Sequence, residues 1–155
     1  MKAFTFRLEP ILTMREGIRK SALGAYAHSI QKCNALEKEI SNLKKDLLFL
    51  QNDISKQRAK LFSPSIDLPN QASILSIEDQ INSKCQNLQK AKDDENLKRK
   101  QFLEADNSLK SVVRLKEKQQ TAHIEDQLSK EDLEMEDIIN SRFNFNSNLK
   151  IKNEY

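Results

Sequence analysis

Few side chains in this 155-residue sequence have the types needed for covalent or metal chemistry. His28 and His123 are the two imidazoles, Cys33 and Cys85 the two thiols, and Asp93-Asp94-Glu95 is a run of carboxylates. A metal needs several such ligands at converging spacing, and neither histidine has them nearby in sequence. Cys33 falls on an apolar stripe described below, where a thiol acts as a small buried apolar group rather than a nucleophile. The carboxylate run reads as a solvated helix face. There is no glycine-rich phosphate loop, no nucleophile elbow and no Cys-x-x-Cys pair. The expectation is a protein that is not an enzyme and carries no metal or cofactor.

The elements available to position these residues are long helices. With 2 Gly, 3 Pro and 32% charged residues, the composition suits extended helices. Hydrophobic residues make up 37% of the chain, aromatics 6%, and Trp is absent, enough for a narrow apolar seam but not a broad core. The formal charge of +3, from 26 bases and 23 acids, is too balanced for a nucleic-acid footprint. No apolar run approaches the roughly 20 residues of a membrane span, and the opening MKAFTFRLEP lacks the apolar stretch of a signal peptide. Together with two cysteines, too few to staple a small secreted domain, this predicts a cytoplasmic protein without a disulfide.

Steps of four and three from Ala22 reach Tyr26, Ser29, Cys33, Leu36, Ile40, Leu43, Leu47, Leu50, Ile54, Gln57 and Leu61. Such a heptad stripe needs a partner helix. Pro10 is tolerable in the first turn, so the first helix is expected over about 9–61. Residues 62–72 hold Pro64 and Pro69 with Ser, Asp and Asn, and are expected to form a loop. The second helix is expected over about 73–140. Its stripe runs Ile74, Ile77, Ile81, Lys84, Leu88, Ala91, Glu95, Lys98, Phe102, Ala105 and Leu109, then slips by one to Val113, Ile124, Leu128, Met135, Ile138 and Arg142, as a stutter would produce.

The predicted fold is all-α, a long antiparallel two-helix coiled-coil hairpin forming one domain over 1–143, with a disordered tail over 144–155. Pairing Leu61 with Ile74 sets partner numbers to total about 135. That register places Cys33 beside Phe102, Tyr26 beside Leu109, Ala22 beside Val113 and His28 near Asn107. It also sets the acidic stretch 125–137, with Glu125, Asp126, Glu131, Asp132, Glu134, Glu136 and Asp137 against Lys130 alone, opposite the bases of the first 35 residues.

The two ends depart from a plain coiled coil. Phe4, Phe6, Leu8 and Leu12 at the start, with Ile139 and Phe143 near the finish, are expected to gather at one tip. Such a tip either plugs the open end of the hairpin or anchors a partner, since aromatic and Arg side chains dominate binding hot spots.

The opening Phe4-x-Phe6-x-Leu8-x-x-Ile11-Leu12-x-x-Arg15, the long heptads, and the closing stretches Lys116-Glu117-Lys118 and Glu136-Asp137-Ile138-Ile139-Asn140-Ser141-Arg142-Phe143 resemble the FliJ family of flagellar type III export, whose injectisome counterpart is YscO. The resemblance implies a soluble, stalk-like, non-enzymatic subunit of the export apparatus, monomeric when free and docked at the inner face of the cell membrane. Its implied partners are the hexameric export ATPase, FliI, the export gate protein FlhA, and substrate chaperones that it escorts. By position, Phe4, Phe6, Leu8, Leu12, Arg15, Arg142 and Phe143 would seat in the ATPase ring, and Ile74, Leu75 and Ile77 would meet the gate. A seam needs Ile74 and Ile77, which leaves Leu75 as a spare apolar side chain. The alternative is a generic structural coiled coil that homodimerises or scaffolds other partners through the same seams.

Overall fold

A computed structural model describes the backbone of residues 3–61 and 63–152 and the side chains of 3–61 and 63–145. Phe62 in the expected loop and Asn153 to Tyr155 in the expected tail lie outside the described residues. The described chain forms two helices packed against each other as an antiparallel hairpin, α1 (Glu9–Lys60) and α2 (Pro64–Lys152), with no strand among the described residues. No helix among them is long and apolar enough to cross a membrane.

Helix α1 starts where the Leu8 carbonyl accepts from the Leu12 amide, 3.0 Å, so Pro10 sits in the first turn, where an amide would be unpaired in any case. Its last turn carries Arg58 and Lys60, matched to the negative end of the helix dipole. The break is three residues long, 61–63, not the eleven expected over 62–72. The Ser63 carbonyl accepts from the Ile66 and Asp67 amides at 3.1 and 3.0 Å, which opens α2 with Pro64 in its first turn and the acid Asp67 near its positive end. Pro64, expected to break the helix, instead starts one. Pro69 lies inside the helix and denies the Ser65 carbonyl its usual partner, a loss that falls at an exposed residue rather than in the seam. At the far end α2 does not stop near residue 140; it continues as helix to Lys152, through much of the tail expected to be disordered.

The short break moves the register. The pairs Glu9 with Lys116, Arg19 with Asp106 and Arg58 with Asp67 each have residue numbers that add to 125, not 135. Tyr26 therefore stacks on Phe102, not Leu109, and Cys33 meets Glu95 rather than Phe102.

Contacts group the chain into two compact units rather than one. In the unit Gly17–Asp106 the α1 stripe is the expected one: Ser29, Cys33, Ile40 and Ile54 are buried, and Ala22, Tyr26, Leu36, Leu43, Leu47 and Leu50 are half-buried. Gln57 and Leu61 are exposed. Its α2 stripe runs from Ile74 through Ala91, Glu95 and Lys98 to Phe102 and Ala105, all buried or half-buried. Lys84, half-buried at a stripe position, and the exposed Lys92 reach Glu39 and Glu37 at 2.7 and 3.1 Å, so that ion pairs flank the seam.

The unit formed by Met1–Glu16 and Asn107–Tyr155 has a small core of Phe6, Leu12 and Val112, with Phe4, Leu8, Leu109 and Val113 packed on it. The heptad step continues here as Leu109, Val112, Lys116 without the expected stutter. Phe4 lies against His123, and α2 then runs on past the start of the described chain. Ile124, Leu128, Met135, Ile138 and Arg142 are exposed rather than in the seam, because α1 ends before it reaches them. Among the described residues no acid of 125–137 pairs with a base of the first 35; Asp126 pairs with Lys130 one turn on.

Candidate partner-binding site

The apolar start of the chain is held by α2 from several directions. Residues 3–6 are irregular and residues 7 and 8 turn into α1, which brings the Phe6 ring back onto Leu12 and Val112. Phe6 is 8% exposed, so it anchors the cluster and does not offer itself to a partner. Lys116 reaches over it: its Nζ sits 5.8 Å from the Phe6 ring centroid while donating to the Glu9 carboxylate at 2.9 Å. A cation over an aromatic face that is also paired with a carboxylate ties the entry segment to both helices. The Phe4 ring centroid lies 5.7 Å from that of His123, the planes tilted by 46°. Arg15 donates from a terminal guanidinium nitrogen to the Ser108 carbonyl at 2.7 Å.

Of the seven residues assigned to ATPase contact, the structure gathers Phe4, Phe6, Leu8 and Leu12 in one cluster, with Arg15 one turn along α1 from Leu12. It does not bring Arg142 and Phe143 to them. Phe143 is twenty residues along α2 from His123, on the order of 30 Å at the helical rise, and is 70% exposed. The expected single tip is thus a packed plug at the start of α1 followed by a stretch of α2 with exposed apolar side chains. Ile139, expected in that tip, also lies on the stretch and is exposed.

The three residues assigned to the gate divide as the seam argument requires. Ile74 and Ile77 are half-buried in the seam, while Leu75 is 60% exposed and lines a shallow surface with Ala72, Ser76 and Asp79.

Lys116 and His123 were not singled out from the sequence as parts of the plug. Their signal is positional: both continue the heptad phase of Leu109, but neither is apolar. Leu48 and Phe49 were missed as well, and Phe49 is 76% exposed. The run Leu47-Leu48-Phe49-Leu50 has four apolar residues where the seam uses two, which is the same excess that marks Leu75.

Cys33 is 3% exposed, and burial pushes its thiol pKa up, with a hydrogen bond to Glu95 and the charges of Glu95 and Glu37 adding to the rise. A thiol held protonated is a poor nucleophile. Both cysteines are free, and among the described residues no group of three or more His, Cys, Asp or Glu side chains converges on a possible metal position.

No curated protein and no solved structure matches the sequence. The family model described as Flagellar FliJ protein matches residues 4–148, from the first aromatic of the plug to beyond the exposed stretch of α2, and the chain belongs to that family.

Proposed function

We propose that this flagellar export-related chain is a non-enzymatic, stalk-like component that seats in the hexameric export ATPase and touches the export gate. The observation that carries this reading is the family match over 4–148, which spans the entry plug and the exposed part of α2 together. In this reading the protein works in the cytoplasm and docks at the inner face of the membrane, where it also escorts substrate chaperones.

The ATPase contact uses the outer edges of Phe4, Leu8 and Arg15, braced from below by Phe6 and Leu12, and the exposed Arg142 and Phe143 further along α2. Buried members hold the surface in shape and exposed members meet the ring. A stiff helical pair that touches ring subunits unequally shifts their conformational populations without any bond chemistry of its own. The gate contact centres on Leu75, with Ile74 and Ile77 fixing its orientation from the seam.

The test is to mix the purified chain with the purified export ATPase and follow both binding and ATP hydrolysis. Binding with a changed hydrolysis rate is expected, and Phe143→Asp with Arg142→Glu should reduce it while the hairpin melts unchanged. Absence of binding at low salt sinks the reading.

A further inference from the structure

Beyond Phe4 the second helix continues without α1 beside it, and every described residue from Leu128 to Phe145 is exposed. This stretch is still patterned. Steps of four and three from Ile124 land on Leu128, Glu131, Met135, Ile138, Arg142 and Phe145, a heptad stripe broken by one acid and one base. Met135, at its middle, is 61% exposed. An exposed stripe with strict heptad spacing calls for another helix.

Charge selects which helix. Residues 125–137 hold seven acids against Lys130, whereas the sequence from 138 to 152 holds Arg142, Lys150 and Lys152 and no acid. The stretch is therefore negative in its first half and positive in its second. Two such segments side by side in the same direction would set Glu131 on Glu131 and Arg142 on Arg142. Reversed, they can set Glu131 of each against Arg142 of the other.

We propose that this part of α2 pairs antiparallel with the same part of a second copy of the chain, about a two-fold axis between Met135 and Ile138. In that register Met135 faces Ile138 of the second copy, Leu128 faces Phe145, and the two polar members of the stripe, Glu131 and Arg142, face each other. The flanking acids fall on neutral neighbours, Asp132 beside Ile139 and Glu134 beside Ser141. Each interruption of the apolar stripe thus meets its opposite charge, and a one-heptad slip in either direction loses both matches. The pairing goes beyond the export reading. It occupies Arg142, so a chain paired in this way and a chain engaged through Arg142 are alternative states.

Sedimentation equilibrium of the full chain at low salt tests the pairing. A monomer–dimer equilibrium is expected that weakens as salt is raised, because charges at the rim are screened. Glu131→Arg and Arg142→Glu should each weaken association by about tenfold, since each sets like charges face to face. An equimolar mixture of the two variants should recover it, as should the doubly reversed chain, because opposite charges again meet. Both sites lie in the exposed part of α2, so helix content and melting of the hairpin serve as the control for folding. A chain that stays monomeric at all concentrations overturns the proposal, as does a dimer unaffected by Met135→Asp, or single reversals whose mixture fails to recover association.

Discussion

The Tyr26 ring lies over that of Phe102, with centroids 6.2 Å apart and planes within 16° of parallel, and the Arg19 guanidinium also sits over the Phe102 ring, 5.7 Å from its centroid, while its Nε donates to Asp106 at 2.6 Å. Four side chains at one level of the hairpin are thereby locked in a single arrangement. Any slip of one helix by a heptad would part all of them. This level fixes the register as firmly as the short break does.

Phe102→Ala should lower the unfolding free energy by about 2 kcal/mol, less than for a fully buried ring because Phe102 is half-buried. A double-mutant cycle of Tyr26→Ala with Phe102→Ala, read by urea denaturation, should return a coupling of about 1 kcal/mol. Additive effects would mean that the stack contributes nothing beyond area.

Phe6→Ala removes the centre of the entry plug and should cost about 3 kcal/mol locally. Amide exchange should then accelerate at residues 9–16 and near 109–116, while amides around Ile40 and Ile81 keep their protection. Uniform acceleration along both helices would show the plug to be part of a single cooperative unit.

Pro69→Ala should stabilise the chain by about 1 kcal/mol, because it restores an amide to the second turn of α2. A rise in melting temperature checks this. A fall would mean that the proline's rigidity in the unfolded chain outweighs the missing hydrogen bond.

The Cys33 thiol has a folded pKa above its unfolded value of 9.0, so it adds stability that is fully present below pH 9.0 and is lost as pH rises through the folded value. Stability should fall at alkaline pH, and Cys33→Ala should flatten that part of the profile. At neutral pH a maleimide should label the exposed Cys85 quickly and Cys33 on the timescale of local opening.

Leu75→Asp should leave the melting temperature nearly unchanged, within about 0.5 kcal/mol, because the side chain touches little of the hairpin. Ile77→Asp should destabilise by several times more, because it puts a charge in the seam. If Leu75 serves the gate, the first variant loses gate binding measured by calorimetry without losing fold.

The α1 stripe from Ala22 to Ile54 was legible in the sequence because each of its positions is apolar or small and the spacing never falters. The break is shorter than expected because Pro64 and Pro69, only five residues apart among Ser, Asp and Asn, signal a loop, whereas a proline's effect depends on position: like Pro10, Pro64 lies in a first turn and removes an amide that had no partner. The register error followed from that one misplacement. The expected stutter comes from following apolarity beyond Leu109, where the seam continues as Val112, Lys116 and His123; of the slipped stripe Val113 still packs on the plug, whereas Ile124 and the members beyond it are exposed. Among the assigned residues, the clustering of Phe4, Phe6, Leu8 and Leu12 was legible from their spacing. The separation of Arg142 and Phe143 from them was not, because it depends on where α1 begins relative to α2.

The three-residue break has one more consequence, for the order in which the hairpin assembles. Partners across the seam are 9 residues apart in sequence at Arg58 and Asp67 but 107 apart at Glu9 and Lys116. Closing the first contact costs the least chain entropy, and each later one extends a loop already shortened by those before it. The helices should therefore zip from the break outward and seal the Phe6 cluster last. Substitutions beside the break should slow folding, while those around Phe6 should mainly hasten unfolding, a contrast that stopped-flow measurements on Arg58→Ala and Phe6→Leu would read directly.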